Sequence, residues 1–573
     1  MSQKHSTPTH ESYNLDDLSA KEKYEQAAIA ADSVEASKVA KNILLNGGSI
    51  VDATIAGLLV NGLVNAQSHG IGGGFFLLFY RKLNKQSKGE CIALDAREVA
   101  PKKAHYLMFN DKNNLLSSTS GGLSIAIPGE IAGFWALYQR YGRLKWRDLF
   151  QPAINMCKNG YLVHRGLATF LTRYKNDFKN DPITEQIFID IKTGQEFREG
   201  DYIKLPKLAN TLSIIANDGA NSFYNGSLTP LIVSEIQANG GIVEEEDLKN
   251  YQVKFLEPIS VLLPSLGLKI YAHPPPSSGI LVLFMLLMFQ YLVESDYIRE
   301  ESDLIHLVVE TSRTAFAHRT KICDTRFSSP ETTHFLSSLL EPIYISTCVN
   351  NILSSKKLRD SKSIYLDEHS SFREDHGTSH FCATVSDPNG DGIEAISVTS
   401  SINLGFGSRV IGEKTHIIYN NQMDDFCQPQ KTNTYYLPSH NCNYIHGEKA
   451  PASSMCPLIF INEKTGDLRL IIGASGGTRI ITAVFQVAAL HILLKRSLRA
   501  AIDMPRIHNQ LWPNQTYLEH GFTKQILTVL QKRGHSVENL RRGGSCVQAI
   551  QRRDDGNFIA VSDGRKGGQP AGF

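Results

Sequence analysis

A single long, charged segment divides this chain of 573 residues into two parts of different character. Residues 354–377 carry many charged side chains and few large apolar ones, so we expect an exposed and mobile connection. Directly after it, residues 381–385 and 393–399 are strand-like and are separated by a turn with the sequence DPNGDG. The pattern predicts a buried β-hairpin, with Thr378 just before its first strand.

The N-terminal part alternates between helix and strand patterns. Residues 26–46 place apolar side chains on one helical face and end at Asn-Gly-Gly, which predicts a helix. Residues 51–64 are almost wholly apolar, which predicts a buried helix. The glycine cluster at 70–74 precedes a predicted strand at 75–80, whereas the glycines of a dinucleotide-binding fingerprint follow their strand. We therefore interpret the cluster as a tight turn with positive φ angles.

Composition excludes several classes of protein. Hydrophobic residues make up 42% of the chain, which is typical of a globular protein and argues against intrinsic disorder. The 59 Lys and Arg nearly balance the 57 Asp and Glu, so we expect no nucleic-acid partner. His376 and His380 are four residues apart, but a glycine and a strand pattern intervene where a metal site would need a helix. We predict neither a metal nor a cofactor.

The cellular location is only weakly indicated. The first 25 residues lack the pattern of a signal peptide, and the longest apolar run, residues 280–293, is shorter than the roughly 20 residues that span a bilayer. We predict a buried helix there and find no membrane anchor in the chain as written. Asn225 and Asn514 begin glycosylation triplets, which favour a secreted location. The nine cysteines form no CxxC pair, and their odd number leaves the redox compartment open.

Thr378 stands where a threonine can become a nucleophile. A threonine hydroxyl reacts poorly unless a base lies beside it. If the bond before Thr378 is cut, its own α-amine, with a pKa of about 7.7–8.0, can take the hydroxyl proton. Gly377 has no Cβ and admits a strained carbonyl that this hydroxyl can attack. The hypothesis is therefore an autocatalytic N-to-O acyl shift followed by hydrolysis. The alternative is that Thr378 is an ordinary strand residue, because threonine is common in β-strands.

A set of short motifs follows one another in order along the chain. The motifs are GGSIVDA (47–53), GIGGGFF (70–76), LDAREVAP (94–101), IPGEIAGFW (127–135), YNGS (224–227), GTSH (377–380), SSIN (400–403), NNQMDDF (420–426), SSMCP (453–457), GASGGT (473–478) and DGRKGGQPAGF (563–573). Together they resemble the γ-glutamyltranspeptidase (glutathione hydrolase) family, and the C-terminal motif resembles animal members. The likeness extends from about residue 24 to the end of the chain.

This resemblance implies an α+β fold of the N-terminal-nucleophile hydrolase type, a four-layer αββα sandwich. It implies a polar tail (1–23), a large subunit (24–377) and a small subunit (378–573) that remain together as a heterodimer after autocleavage. The implied activity is γ-glutamyl transfer and glutathione hydrolysis without a cofactor. Glutathione or its conjugates would donate the glutamyl group, and water, an amino acid or a dipeptide would accept it.

The resemblance also implies roles for individual residues. Thr378 would be the nucleophile, and Ser401, where the family usually has threonine, would hydrogen-bond to it. Gly476 and Gly477 would form the oxyanion hole, because the backbone N–H groups that open a helix lack partners. The implied substrate-binding residues are Arg97, Ser453 and Ser454 for the α-carboxylate and Asn403, Gln422 and Asp425 for the ammonium. Gln422 stands where some members carry glutamate, which removes one negative charge, and Asp424 would pack or cap.

Two alternatives remain open from the sequence. The chain could be an inactive relative that acts as a binding protein, or an acylase with a different acyl group. The complete set of implied site residues favours the enzyme over the binding protein. Animal members are usually held outside the plasma membrane by an N-terminal anchor, so the resemblance implies that location, although nothing before residue 24 could serve as an anchor here.

Overall fold

The structure is a computed structural model, and it describes residues 22–110, 118–179, 181–295, 297–298, 300–354, 377–387, 391–429, 433–540 and 544–573. The predicted exposed connection and His376 therefore lie outside the described residues, except for the two ends of the connection. Of the predicted tail, Glu22 and Lys23 are described, and Lys23 already pairs with Ile559 in a sheet. The division into two subunits stays a prediction.

Strands and helices are numbered in chain order. The strands of the described residues are β1 (Lys23–Tyr24), β2 (Ala27–Ala31), β3 (Gly74–Lys82), β4 (Glu90–Ala96), β5 (Tyr161–Leu162), β6 (Ile189–Asp190), β7 (Gln195–Glu196), β8 (Tyr202–Ile203), β9 (Lys254–Leu256), β10 (Ile259–Leu263), β11 (Leu268–Ala272), β12 (Gly377–Ser386), β13 (Ile393–Asn403), β14 (Leu458–Asn462), β15 (Leu468–Ser475), β16 (Ile507–His508), β17 (Thr516–Leu518), β18 (Val537–Asn539), β19 (Cys546–Arg552), β20 (Phe558–Ser562) and β21 (Ala571–Gly572). The α-helices are α1 (Val34–Leu45), α2 (Ile50–Val64), α3 (Glu130–Tyr141), α4 (Trp146–Asn159), α5 (Arg165–Lys179), α6 (Pro182–Phe188), α7 (Pro206–Asp218), α8 (Asn221–Tyr224), α9 (Thr229–Ala238), α10 (Glu245–Lys249), α11 (Gly279–Glu294), α12 (Glu301–Phe316), α13 (Pro330–Ser338), α14 (Pro342–Ser354), α15 (Arg479–Ala488), α16 (Leu498–Asp503) and α17 (Lys524–Lys532).

Two antiparallel sheets of seven strands form the centre of the molecule. The first sheet has the order β21-β2-β12-β13-β3-β4-β9, and the second has the order β1-β20-β19-β15-β14-β11-β10. Helices α1–α5, α7 and α9 pack on the outer face of the first sheet, and α11–α16 pack on the outer face of the second. The predicted αββα sandwich is confirmed.

Side-chain alternation along the strands explains the layers. In β3, Phe75, Leu77 and Phe79 face the helices, whereas Leu78 and Tyr80 face the other sheet. Successive side chains of a strand point to opposite faces, so a strand between two layers buries both of its faces. In β3 both faces are apolar, whereas β12 and β13 also bury polar side chains that have hydrogen-bond partners, such as Ser379 with Asp32 and His380 with Thr399.

Most predicted elements are confirmed, and one is wrong in part. The hairpin is β12 and β13, although β12 begins at Gly377 and so contains Thr378, which the sequence pattern places before the strand. The helix at 51–64 is α2, and the apolar run 280–293 is the buried helix α11. The predicted helix 26–46 divides into strand β2 and helix α1, which begins after the N-cap Ser33. Alanine favours helices, which is why we predicted a helix here. The segment is a strand because its backbone pairs with β12 and its small side chains fit between the layers.

The glycines at 70–74 are not explained by the positive φ angles that we expected. Only Gly70 has a positive φ, at 157°. A Cβ at Gly73 would lie 2.3 Å from the carbonyl oxygen of Ser401, and one at Gly74 would lie 2.4 Å from that of Ala96. These glycines therefore allow backbones to approach closely. Among the described helices, none has the length and apolarity that crossing a bilayer requires.

Candidate active site

One edge of the first sheet brings the predicted nucleophile together with residues from other strands. Thr378, at the start of β12, pairs with Ser401 near the end of β13. Ser401 pairs in turn with Gly74, the first residue of β3. The start of β3 pairs with the end of β4, and Arg97 follows β4 directly. Residues far apart in the chain thus meet at one sheet edge.

The hydroxyl of Ser401 connects the predicted nucleophile to the predicted cleavage point. It donates to the carbonyl oxygen of Gly377 at 2.7 Å and accepts from the backbone N–H of Asn403 at 2.9 Å. Its oxygen lies 3.1 Å from Oγ1 of Thr378. A hydroxyl has one proton and two acceptor positions, so the Thr378 hydroxyl must be the donor toward Ser401. The Gly377 carbonyl is therefore polarised beside the hydroxyl that would attack it.

Gly377 occupies a position that admits no side chain. A Cβ there would lie 2.3 Å from the carbonyl oxygen of Leu404 and 2.8 Å from that of Gln67. The register with β13 also shifts between Gly377 and Thr378. The predicted cleavage point is therefore an irregular position of the sheet with backbone packed tightly against backbone.

Two charged residues that we did not identify from the sequence, Lys566 and Asp32, contact the start of β12. Nζ of Lys566 donates to the carbonyl oxygen of Thr378 at 2.6 Å and to Oδ2 of Asp32 at 2.7 Å. Buried Asp32 also accepts from the hydroxyl of Ser379 at 2.6 Å. Lys566 belongs to the C-terminal motif, which was the available signal, but only the fold places it beside Thr378.

Arg97 is fully buried beside two carboxyl groups. Its Nη2 donates to Oδ2 of Asp425 at 2.7 Å, and its Nη1 donates to Oε2 of Glu98 at 3.3 Å. Its Nε–H has no partner among the described residues. Burial raises the pKa of Glu98 to about 8 and outweighs the opposing effect of the Arg97 guanidinium. Glu98 is thus largely neutral at pH 7, and Asp425 is the carboxylate that balances Arg97.

The predicted ammonium-binding amides both bond to the segment 421–425, which contains Asp425. Asn403 has a left-handed φ of 76°, and its side chain donates to the carbonyl of Asn421 at 3.1 Å and accepts from the Tyr435 hydroxyl at 3.1 Å. Gln422 donates from Nε2 to Asp425 at 3.4 Å, while its buried Oε1 has no partner among the described residues. A buried acceptor without a partner is suited to a ligand that brings a donor.

Asn443 links the predicted ammonium site to the predicted carboxylate site. Its Nδ2 donates to the backbone carbonyl of Asp425 at 2.8 Å, and its Oδ1 accepts from the N–H of Ala452 at 3.0 Å. Ala452 precedes Ser453 directly. Sequence reasoning missed Asn443, because an asparagine in a loop carries no recognisable pattern. Asp424 is buried and accepts from Ser118, and burial raises its pKa to about 7.

The two predicted carboxylate-binding serines lie against the start of α11. The N–H of Ser453 donates to Pro276, and its carbonyl accepts from the hydroxyl of Ser278 at 2.6 Å. The Ser453 hydroxyl accepts from the N–H of Met455 at 3.1 Å, which leaves its proton available. Ser454 is half-buried next to it.

The predicted oxyanion-hole glycines follow β15 in the second sheet. Gly476 and Gly477 have φ angles of 132° and 60°, and α15 begins two residues later. Neither N–H has an acceptor among the described residues. A cleft of about 780 Å³ is lined by both Gly476 and Lys566, whose ammonium contacts Thr378. The cleft therefore leads to the region where both predicted parts of the catalytic machinery lie.

Comparison with known proteins assigns the family. Residues 36–573 match the family described as Gamma-glutamyltranspeptidase. The chain belongs to the gamma-glutamyltranspeptidase family. It is 37% identical over 556 residues to Scoloptoxin SSD14 of Scolopendra dehaani, with 96% of this chain and 92% of that protein covered. It is 34% identical to Glutathione hydrolase proenzyme 2 of Schizosaccharomyces pombe, with 96% and 87% covered.

The fold of this family member is also found in a solved structure. The crystal structure of cephalosporin acylase from Bacillus halodurans superimposes with a TM-score of 0.81 at 22% identity, over 100% of this chain and 99% of that chain. At this identity the likeness supports the fold alone, and it agrees with the observed αββα layers.

Proposed function

We propose that this protein is a γ-glutamyl transferase and glutathione hydrolase that matures by cutting itself between Gly377 and Thr378. Membership of the family and the proenzyme name of a relative support this proposal. The observation that carries it is the pair of hydroxyls, Thr378 and Ser401, placed against the Gly377 carbonyl. A binding protein would have no use for that arrangement.

Maturation begins at the junction between Gly377 and Thr378, where the strand register shifts. Oγ1 of Thr378 attacks the carbonyl carbon of Gly377 while the Ser401 hydroxyl donates to the carbonyl oxygen, where negative charge develops. The C–N bond breaks, the proton lost by the attacking hydroxyl is taken up by the leaving nitrogen of Thr378, and an ester forms. Water then hydrolyses the ester, restores the Thr378 hydroxyl and releases residue 377 as the carboxyl end of the large subunit (24–377). The small subunit (378–573) then begins with a free amine on Thr378. The two subunits stay together as a heterodimer.

Catalysis reuses the same hydroxyls. The free amine of Thr378, with a pKa of about 7.7–8.0, takes the proton of its own hydroxyl. Loss of Gly377 leaves the Ser401 proton able to hydrogen-bond to the nucleophile. The N–H groups of Gly476 and Gly477 stabilise the oxyanion, each contributing about 10²–10³ in rate. Cysteinylglycine leaves, and water, an amino acid or a dipeptide then takes the γ-glutamyl group.

Substrate recognition uses charges that are already arranged in pairs. Arg97 and Asp425 form an ion pair with each other. The α-carboxylate of a γ-glutamyl group would bind Arg97 with Ser453 and Ser454, and its ammonium would bind Asp425 with Asn403 and Gln422. The zwitterion then supplies each buried charge with a new partner, so neither is left uncompensated.

The proposed location is the extracellular face of the plasma membrane, as the family resemblance implies. Asn225 is exposed after α8, whereas Asn514 is half-buried. We therefore propose Asn225 as the better of the two candidate glycosylation sites. Endoglycosidase treatment of protein from a secretory host, compared with Asn225→Gln, tests this.

The variant Thr378→Ala tests the proposed nucleophile. The wild-type chain should yield two fragments, one with Thr378 as its first residue by N-terminal sequencing, and should hydrolyse glutathione. Thr378→Ala should remain uncut and inactive. Thr384→Ala is the matched control, because Thr384 is buried in the same strand and its hydroxyl donates to the Glu394 carbonyl, the one partner of its side chain among the described residues. Two normal fragments from Thr378→Ala, or full activity in an unbroken wild-type chain, would contradict the proposal.

A further inference from the structure

Two buried thiols meet across the proposed subunit boundary. Cys323 follows the short helical turn Arg319–Lys321, and Cys442 lies in the turn Asn441–Asn443. The Cys442 thiol donates to the carbonyl oxygen of Thr320 at 3.4 Å, and the Cys442 and Cys323 thiols lie close enough to influence each other's ionisation. All nine cysteines are thiols in this structure. The contact joins segments that would belong to different subunits.

The backbone around the two thiols is already fixed. Nζ of Lys449 donates to the carbonyls of Cys442 at 2.6 Å and Tyr444 at 2.9 Å. The N–H of Ala450 donates to Oδ2 of Asp324 at 3.1 Å, next to Cys323. Because these contacts hold both segments, joining the thiols requires little further ordering.

The surroundings also favour the reactive form of one thiol. The neighbouring Cys442 thiol and the Lys449 ammonium hold the pKa of Cys323 below that of an ordinary thiol. The thiolate is the form that attacks a disulfide. Cys323 is therefore suited to begin thiol–disulfide exchange.

We propose that Cys323 and Cys442 form a disulfide bond that links the two subunits behind the substrate site. Because Cys323 is fully buried, exchange begins when the loop around Cys442 opens. The Cys323 thiolate then attacks a low-molecular-weight disulfide, forms a mixed disulfide and releases one thiolate. The sulfur of Cys442 then displaces the second thiol and gives up its proton. Two electrons pass from the protein to the small disulfide. The link between subunits depends on the proposed autocleavage, whereas the bond itself does not.

The disulfide bond would affect the substrate site through Asn443, the residue that follows Cys442. Asn443 holds both the carbonyl of Asp425 and the N–H of Ala452. A covalent link at Cys442 would restrict this loop. We expect the oxidised protein to lose activity more slowly on heating than Cys323→Ser, by about threefold or more in half-life, with Asn443 as the positioning residue concerned.

The test uses the full-length protein incubated with 2-hydroxyethyl disulfide, which carries no γ-glutamyl group and is not a substrate of the proposed activity. On a denaturing gel without reductant, the wild type should migrate near 63.6 kDa, and with reductant it should separate into two bands. Cys323→Ser and Cys442→Ser should each give two bands in both lanes. Cys427→Ser, which removes a third nearby thiol, should behave as the wild type.

The reducing lane separates the two proposals. Two bands in both lanes of the wild type would overturn the disulfide while autocleavage stands. A single band in the reducing lane would contradict autocleavage. Mass spectrometry of tryptic peptides would then show whether the disulfide bond forms. A linked peptide pair containing Cys323 and Cys442 supports it, and its absence overturns it. Dependence of the link on Cys427 would also overturn it.

Discussion

At the scale of single residues, the chemistry of the site depends on how one serine hydroxyl distributes its three hydrogen bonds. Ser401 donates to Gly377 and accepts from Thr378 and Asn403. Every position of that hydroxyl is therefore occupied in the uncut chain, and one becomes free when Gly377 leaves. The same group can serve maturation first and turnover afterwards.

Ser401→Ala should slow both autocleavage and glutathione hydrolysis. Loss of a donor to a developing oxyanion costs about 10²–10³ in rate, and we expect autocleavage to slow by that factor. The two rates are measured by densitometry of the fragments over time and by a hydrolysis assay on matured protein. Ser401→Thr keeps the hydroxyl and should restore both rates. Normal cleavage in the alanine variant would contradict the role of Ser401.

Glu98→Gln should change how stability depends on pH. The pKa of Glu98 is about 8 in the folded protein against 4.5 for an ordinary glutamate. Its stabilising contribution is complete below about pH 4.5 and is lost as the pH rises toward 8, because only the unfolded chain releases the proton readily. Glutamine cannot ionise.

The free energy of unfolding of Glu98→Gln, relative to the wild type, should therefore rise by on the order of 3 kcal/mol between pH 5 and pH 8. Urea denaturation at both pH values measures this difference. A difference that is independent of pH would mean that Glu98 is ionised in the folded protein.

At the scale of elements, the site exists because four strand ends meet at one edge without side chains between them. Gly73, Gly74 and Gly377 each face a backbone oxygen at a distance that excludes a Cβ. The spacing of these glycines in the sequence indicates a turn, but the reason for them is contact between neighbouring backbones.

Gly73→Ala should displace the strand that carries Ser401. The new Cβ would lie 2.3 Å from the Ser401 carbonyl oxygen, which cannot move without moving the strand. We expect a loss of about 1–3 kcal/mol in the free energy of unfolding, together with slower autocleavage. Gly564→Ala is the control, since a Cβ there meets nothing within 4 Å. Equal behaviour of the two variants in denaturation and cleavage assays would contradict this explanation.

At the scale of the whole molecule, the two proposed subunits share both central sheets. In the first sheet, β12 and β13 from the small subunit lie between β2 and β3 from the large subunit. In the second sheet, β11 of the large subunit pairs with β14 of the small one. Neither part can bury its apolar strands without the other.

The segments 24–377 and 378–573, expressed separately, should therefore fail to fold. Circular dichroism should show no cooperative thermal transition for either segment, because each would expose unpaired apolar strands. The full-length protein, matured and kept under reducing conditions, should unfold in one transition with both fragments co-eluting beforehand. A cooperative transition in one isolated segment would show that it forms its own core.

The sequence by itself determined the local elements and predicted the chemistry. Strand-like runs around a turn were enough for the hairpin of β12 and β13, and almost wholly apolar runs were enough for α2 and α11, because these helices are buried on nearly all sides. The position of Thr378 after a glycine indicated the chemistry, and the ordered motifs indicated the family.

Only the tertiary structure decided what depends on residues distant in the chain. The alanine-rich β2 is a strand because β12 lies beside it, and Lys566 reaches Thr378 from 188 positions away. The contact of Cys323 with Cys442 likewise has no local signature. Local sequence patterns indicate which side chains are buried. The packing of the two sheets against each other determines which of those buried side chains contact one another.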